Sequence, residues 1–363
     1  MVYHNIVAPY RHALFTALAA RAAVEVWYST LATRDRKWDT TIPTSYRSRV
    51  LPNRVFYPFT RPVIVCPTLT DDLNRLKPSA VVAVLTKSNA WDAVRLCRWS
   101  RATSTPLLWW VGAIEKHRAL QSRANLLEES ICDLFYRYAF SRAAGNVFYS
   151  LRSQEWAARR GAAGPNCCGT QVLPPPALSP RLEVPGNDAP VQLLFVGKLE
   201  MRKGFDLFAA ALERLDPANN ARLFVSVAGD GPLRARIPEL LAAGVAVQWL
   251  GHLSRDDLWQ RYCTADVVVV PSRHDPWVNV INESMSMGTP VLASVQCGGA
   301  ALAQAAGWCF DACCPSSLDS ELRAAISECR SPLRRARAVN AESAYRPGVA
   351  ADRMLAVIQD LLA

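Results

Sequence analysis

Twice along this chain, short runs of β-branched and aromatic residues alternate with helical stretches, and a proline-rich segment separates the two series. In the first series Val24–Ser29, Ala80–Leu85, Leu107–Val111 and Asn146–Tyr149 read as strands. Helical patterns lie between them at Ala13–Ala23, Trp91–Ser100 and Leu126–Ala139. The second series is clearer. Val191–Val196, Leu223–Ala228, Val245–Leu250, Val267–Val270 and Pro290–Ser294 read as strands. Phe205–Leu215, Leu233–Ala243 and Leu258–Cys263 read as helices, as do the tail segments Leu318–Cys329 and Val349–Leu362. Val267–Val270 is apolar at every position, the pattern of a strand buried on both faces of a parallel sheet. Strands alternating with helices predict α/β architecture with helices on both faces of each sheet.

The separator is residues 167–190, with six prolines and the turn Pro185-Gly186-Asn187-Asp188. Proline fixes φ and removes a donor, so this stretch cannot be the interior of a regular element. A chain of 363 residues suits two domains. The expected fold is therefore two doubly wound domains facing across a cleft, with ligands beyond the carboxyl ends of the strands.

The net charge of +10 is unevenly placed. Residues 1–170 hold 23 Lys and Arg against 11 Asp and Glu, and the remainder holds 18 against 20. The first half is thus expected to meet something anionic: nucleic acid, lipid headgroups or a diphosphate-bearing acceptor. Its most basic stretch carries Arg34, Arg36, Lys37, Arg47, Arg49, Arg54 and Arg61, interleaved with Trp38 and Tyr46. That interleaving is the sole support for nucleic acid, which ranks last, and a solvated surface explains it equally well. No apolar run approaches bilayer-spanning length, and no charged n-region opens the chain, so a cytoplasmic protein is expected. Peripheral contact with the inner membrane face through the basic half is a further expectation. The 11 cysteines lack zinc-site spacing and read as reduced thiols, with no metal and no cofactor expected.

Three segments at strand ends carry chemistry. Gly197-Lys198-Leu199-Glu200-Met201-Arg202-Lys203-Gly204 lies between a strand and a helix, where amides, the helix dipole and two lysines favour an anion such as a diphosphate. Ala228-Gly229-Asp230-Gly231-Pro232 and Trp249-Leu250-Gly251 follow at the next two strand ends, leaving a trough for a flat base or ribose. The third segment, Pro271 to Val291, sets Asp275 in a loop and Glu283 in a helix beginning near Asn279. Two carboxylates there can accept paired hydrogen bonds from the vicinal diols of a ribose and a hexose. Taken singly, each feature is also explained as a turn, a cap or a solvated charge. A Gly-x-Gly-x-x-Gly fingerprint is missing from the first βα turn of either half, which argues against a dehydrogenase.

In this order, the three segments resemble the family 4 retaining glycosyltransferases of the GT-B fold. That family shows Gly-Arg-Leu…Lys-Gly, then Gly-x-Gly-Pro, then Pro-Ser…Glu-x7-Glu-Ala-Met…Gly-x-Pro-Val. A subgroup reading Glu-Pro-Trp-Gly-Leu-Val-Val-Asn-Glu-Ala-Met is similar to Asp275–Met285, and its Pro-Tyr-Arg opening is similar to Pro9-Tyr10-Arg11. The resemblance is specific over about residues 191–300 and weaker before them.

The resemblance implies GT-B architecture, with an acceptor domain over 1–176, a nucleotide-sugar domain over 177–345, and a final helix, 346–363, crossing back to the first. It implies retaining, metal-independent transfer of a hexose to a glycan, glycolipid or lipid-linked acceptor in cell-surface polysaccharide synthesis. Lys198 and Lys203 would neutralise the donor diphosphate, Asp275 would hold hydroxyls of the transferred sugar, and Glu283 would bind the ribose. Gly197, Gly229, Gly231, Leu250, Val278, Asn279 and Val280 would complete the donor site, and Arg11 and His117 would meet the acceptor. Four positions depart from the pattern: Lys198 stands for Arg, Asp275 for Glu, Val278 for Gly and Ser284 for Ala. Asp275 and Val278 motivate an alternative, a nucleotide-sugar-binding protein with weak or no transfer.

Overall fold

The structure, a computed structural model, describes all residues except 33–39, 58–61, 116–122, 174–177 and 187, and describes 123–129 by backbone alone. The chain divides into two compact units: Met1–Ala113, Gln121–Pro174 and Arg346–Ala363 form one, Ile114–Leu120 and Pro175–Tyr345 the other.

The first unit carries strands β1 (Val2–His4), β2 (Glu25–Tyr28), β3 (Arg47–Val50), β4 (Arg54–Phe56), β5 (Val63–Val65), β6 (Val81–Val84), β7 (Leu107–Val111), β8 (Gly145–Phe148) and β9 (Asn166–Cys167). Its main sheet is parallel in the order β3-β2-β1-β6-β7-β8-β9, while β4 and β5 pair antiparallel. Tyr3, Trp27, Val81, Ala83, Leu107 and Trp109 pack in the core under the helix Ala90–Thr103. The final helix, Pro347–Leu362, packs on Pro9–Ala19, where Arg21 Nε meets Asp352 Oδ1 at 2.6 Å.

The second unit carries β10 (Val191–Val196), β11 (Leu223–Ala228), β12 (Val247–Gly251), β13 (Val267–Val270), β14 (Val291–Ser294) and β15 (Trp308–Phe310). All its strand pairs are parallel, in the order β12-β11-β10-β13-β14-β15. Every residue of β13 is buried, as its uniform valine sequence requires. Phe195, Phe205, Phe208, Val225, Val269 and Leu322 join one core.

Two elements differ from expectation for local reasons. The helix expected over Leu233–Ala243 is a 3-10 turn, Pro232–Ala235, followed by Arg236–Ala242. Pro238 lies inside this run and has no N–H to continue an α-helical ladder across it. The first helix begins at Pro9 rather than Ala13, because proline's fixed φ suits the first helical position.

In the second sheet the strand order turns back at β10 and β13, which lie side by side although more than 70 residues separate their ends. A crevice opens at such a point, at the carboxyl ends of the strands. The segments leaving those two ends are Gly197–Gly204 and Pro271–Val278.

Candidate functional site

Glycine is required where these segments touch. Gly204 has φ +72°, and a Cβ there would lie 1.8 Å from the Pro271 carbonyl oxygen, so the two loops cross with no room for a side chain. Gly229, at φ +132°, would put a Cβ 2.0 Å from the Gly197 carbonyl oxygen. The amide of Gly229 bonds to the Gly251 carbonyl at 2.7 Å, and that of Gly197 bonds to the Ala228 carbonyl at 2.9 Å. The loops after β10, β11 and β12 are thereby locked in one layer. Gly229→Ala should destabilise the chain by at least about 1–3 kcal/mol from backbone strain alone. Chemical denaturation checks this, and an unchanged midpoint would contradict the close approach.

Charge converges where the β10 and β13 loops cross. Lys203 ends a 3-10 turn, Met201–Lys203, and its Nζ lies 2.6 Å from Asp275 Oδ2. Arg202 Nη1 reaches the same oxygen at 3.5 Å, and the Trp277 amide donates to Asp275 Oδ1 at 3.2 Å. Asp275 is buried, so these partners hold a carboxylate largely withdrawn from water. Lys198 points elsewhere: its side chain is 61% exposed and pairs with Glu200 at 3.2 Å. Lys203 and Asp275 are thus joined directly, whereas Lys198 is linked to them through Glu200 and Arg202.

Glu283 lies in the second turn of the helix Asn279–Ser286, where Tyr262 Oη donates to its Oε2 at 2.6 Å. Burial raises its carboxyl above the ordinary range, against the lowering effects of that hydrogen bond and of the Arg255 charge. Tyr262 itself is fully buried.

Val278 precedes this helix with φ −102° and ψ 102°, ordinary extended backbone, and its side chain is 3% exposed. Valine therefore stands where the resembled pattern has glycine without backbone strain here. Asn279 and Val280, half-buried, begin the helix and place its N-terminal turn beside the Asp275 loop. Leu250 is half-buried in β12, next to Trp249, whose Nε1 donates to the Gly229 carbonyl at 2.8 Å. The Arg234 guanidinium lies over the Trp249 ring, 3.7 Å from its centre. Gly231 packs against Leu199, where a Cβ would meet the carbonyl oxygen at 2.6 Å.

The first unit departs more from expectation. Arg11 is 1% exposed, its guanidinium between the rings of Trp110 (4.3 Å) and Tyr149 (4.5 Å), with Nη1 donating to the Thr170 carbonyl at 3.2 Å. An acceptor contact through Arg11 would require this group to be uncovered. His117 lies outside the described residues, as do Arg34, Arg36, Lys37, Trp38 and Arg61. Of the remaining basic stretch, Arg47, Arg49 and Arg54 are exposed, and Arg49 also stacks on Trp27 at 4.0 Å and faces Glu25 and Asp72. Tyr46 is not a surface aromatic: it is buried, its hydroxyl 2.7 Å from both Tyr28 Oη and His12 Nδ1. Among the described residues, the arginines of this stretch are therefore displayed and Tyr46 is not.

Sequence reading missed three contributors: Arg202, Tyr262 and the pair Arg273–Asp206, in which Nη1 donates to Oδ1 and Nη2 to Oδ2, each at 2.6 Å. Their partners are remote in sequence, so no local pattern announces them.

Residues 190–328 match the family described as Glycosyl transferases group 1. An uncharacterized glycosyltransferase of Methanocaldococcus jannaschii is 36% identical over 111 residues, 30% of this chain and 28% of that protein. The curated relatives are matched over well under half of their length. The solved structure of the lipopolysaccharide outer core galactosyltransferase WaaB, apo form, superposes with a TM-score of 0.73 at 13% identity, covering 99% of each chain. Anabaena HepE in complex with UDP and glucose superposes with a TM-score of 0.62 at 16% identity over 98% of each chain. The structural neighbours are GT-B glycosyltransferases, and the two parallel α/β units here share that fold. The family match thus covers residues 190–328, and the architecture of the chain is the GT-B fold.

Proposed function

We propose that this chain is a retaining, metal-independent hexosyltransferase that moves a sugar from a nucleotide-sugar to a glycan, glycolipid or lipid-linked acceptor. The observation that carries the reading is the Lys203–Asp275 contact of 2.6 Å at the switch point of the second sheet. There a cation and a carboxylate stand together where a parallel sheet offers a ligand crevice. The HepE structure holds UDP and glucose, which supports a nucleotide-sugar as the donor class.

In this reading Lys203, joined by Lys198 once it leaves Glu200, takes the donor diphosphate. Asp275 turns to hydroxyls of the transferred sugar, and Glu283 accepts from the ribose diol. Amides of Asn279 and Val280 face the phosphate or sugar at the helix N-terminus. Cleavage of the sugar–phosphate bond builds negative charge on the leaving diphosphate, and preorganised cations stabilise it where it forms. The acceptor belongs to the basic first unit, in a cytoplasmic protein meeting the inner membrane face and building cell-surface polysaccharide. No helix among the described residues is long and apolar enough to cross a membrane.

The test is a thermal-shift screen across UDP-, GDP-, ADP- and dTDP-sugars. One donor should raise the midpoint, since a ligand at a hundred times its Kd adds about 2.7 kcal/mol. If none does, the proposal fails. Stabilisation without a sugar product on any acceptor would instead identify a nucleotide-sugar-binding protein.

A further inference from the structure

Lys203 and Asp275 sit on loops that no regular ladder joins, yet their geometry is held tightly. The holding group is Arg273, two residues before Asp275. Its backbone amide donates to the Arg202 carbonyl at 2.9 Å, and its Nη1 donates to the Met201 carbonyl at 2.7 Å. Nη1 and Nη2 also form a two-pronged pair with Asp206, at 2.6 Å each. Residues 201, 202 and 206 bracket Lys203 on both sides, so one arginine pins the turn that presents the lysine. Arg273 is buried, and Asp206 lies in the first turn of the helix Phe205–Glu213. A fork of this kind combines charge with fixed direction, which a lysine cannot reproduce.

We infer that Arg273 is a positioning residue of the donor site, setting the Lys203 turn against the Asp275 loop through its fork onto Asp206 and Met201. Its hydrogen bonds go to Met201, Arg202 and Asp206, all within the Lys203 turn and the helix that follows it. Its effect reaches the donor through Lys203, and in that respect the inference rests on the donor-site reading above. A purely structural pair would cost stability when lost but leave the environment of Lys203 in the folded protein unchanged.

Two substitutions separate these roles. Arg273→Lys keeps the charge without the fork, and Arg273→Met removes both. The first readout is amine acylation followed by mass spectrometry on the whole chain, with no donor present. Lys203, largely covered and paired, should acylate more slowly than the exposed Lys198 in the unaltered protein. In either folded variant the Lys203 rate should rise severalfold while that of Lys198 stays constant. Asp206→Asn should reproduce the change, and the double variant should add little, because the two residues act as one unit.

The second readout is turnover with the donor identified by thermal shift, where kcat/KM should fall by about 10²-fold, the scale of a small misplacement of a reacting group. A folded Arg273→Lys protein with unaltered Lys203 acylation overturns the inference. Should Arg273→Met fail to fold, Arg273→Lys alone decides. A protein that binds no nucleotide-sugar refutes the proposed function, whereas the acylation ratio judges Arg273 independently of any donor.

Discussion

Lys203→Ala should lower kcat by about 10²–10³ while leaving a folded protein, the scale found when one preorganised group facing developing charge is removed. The amine sits 2.6 Å from Asp275 at the switch point, so it is already in place before any donor arrives. The loss should fall mainly on kcat, because charge on the leaving diphosphate grows toward the transition state. Two effects must be separated. Removing the lysine strips Asp275 of its nearest cation, leaving Arg202 at 3.5 Å and the Trp277 amide. A half-abandoned buried carboxylate destabilises the fold on its own account. Lys203→Ala combined with Asp275→Asn relieves that penalty. The double variant should regain thermal stability without regaining turnover. Unaltered kcat in Lys203→Ala would sink the donor-site assignment, and recovered turnover in the double variant would show that only charge balance mattered. Lys198→Ala should cost less than Lys203→Ala, since Lys198 is largely exposed and engaged with Glu200.

That ranking of the two lysines shows where sequence reading ends. Several strands stood out with their bounds intact, Leu107–Val111, Val191–Val196, Leu223–Ala228 and Val267–Val270 among them, because a parallel sheet covered on both faces demands continuous apolar runs. Three of the edge strands did not. Arg47–Val50 alternates charge and small residues, Asn166–Cys167 is two residues long, and Trp308–Phe310 is three. At a sheet's edge, backbone pairing and one covered face suffice, so composition carries little trace. The three candidate loops were legible because every parallel strand delivers its carboxyl end to the same edge. Which loops meet was not. Chain order alone would set β10 beside β11 and β13 beside β12, whereas β10 lies between β11 and β13. Lys203 finds Asp275 across 72 positions, Arg273 finds Asp206 across 67, and Glu283 finds Tyr262 across 21. Pairs of this kind depend on strand order, which propensity and periodicity do not encode. Val278 is the reverse case. Its departure from the glycine of the resembled pattern suggests strain, yet the backbone there is one that any residue adopts.

Glu283→Gln should produce the second large effect, split between affinity and stability in opposite directions. A charged hydrogen bond to a ligand contributes about 1.5–3 kcal/mol, so losing the carboxylate should weaken donor binding by about ten- to a hundredfold. Glutamine keeps an oxygen for the Tyr262 hydroxyl, so the local packing survives. Stability should move the other way. Burial raises the Glu283 carboxyl above its ordinary value of 4.5. Between that value and the raised one, the native protein retains a proton that the unfolded chain has released. Stability from this group is therefore lost as pH rises through the window, because the unfolded state binds fewer protons there. Glutamine has no proton to lose, and Glu283→Gln should flatten that part of the stability–pH curve. Above the window the variant should be at least as stable as the unaltered protein. Donor binding carries the complementary signature. The ribose diol needs an ionised acceptor, so acidification should weaken binding from a higher pH than an ordinary carboxylate would set, and this dependence should vanish in Glu283→Gln. Denaturation and isothermal titration of both proteins across the acidic range read the two curves. Equal donor affinity in the two proteins would remove Glu283 from the donor site. A variant less stable throughout the range would mean that the buried carboxylate supports the fold instead of straining it.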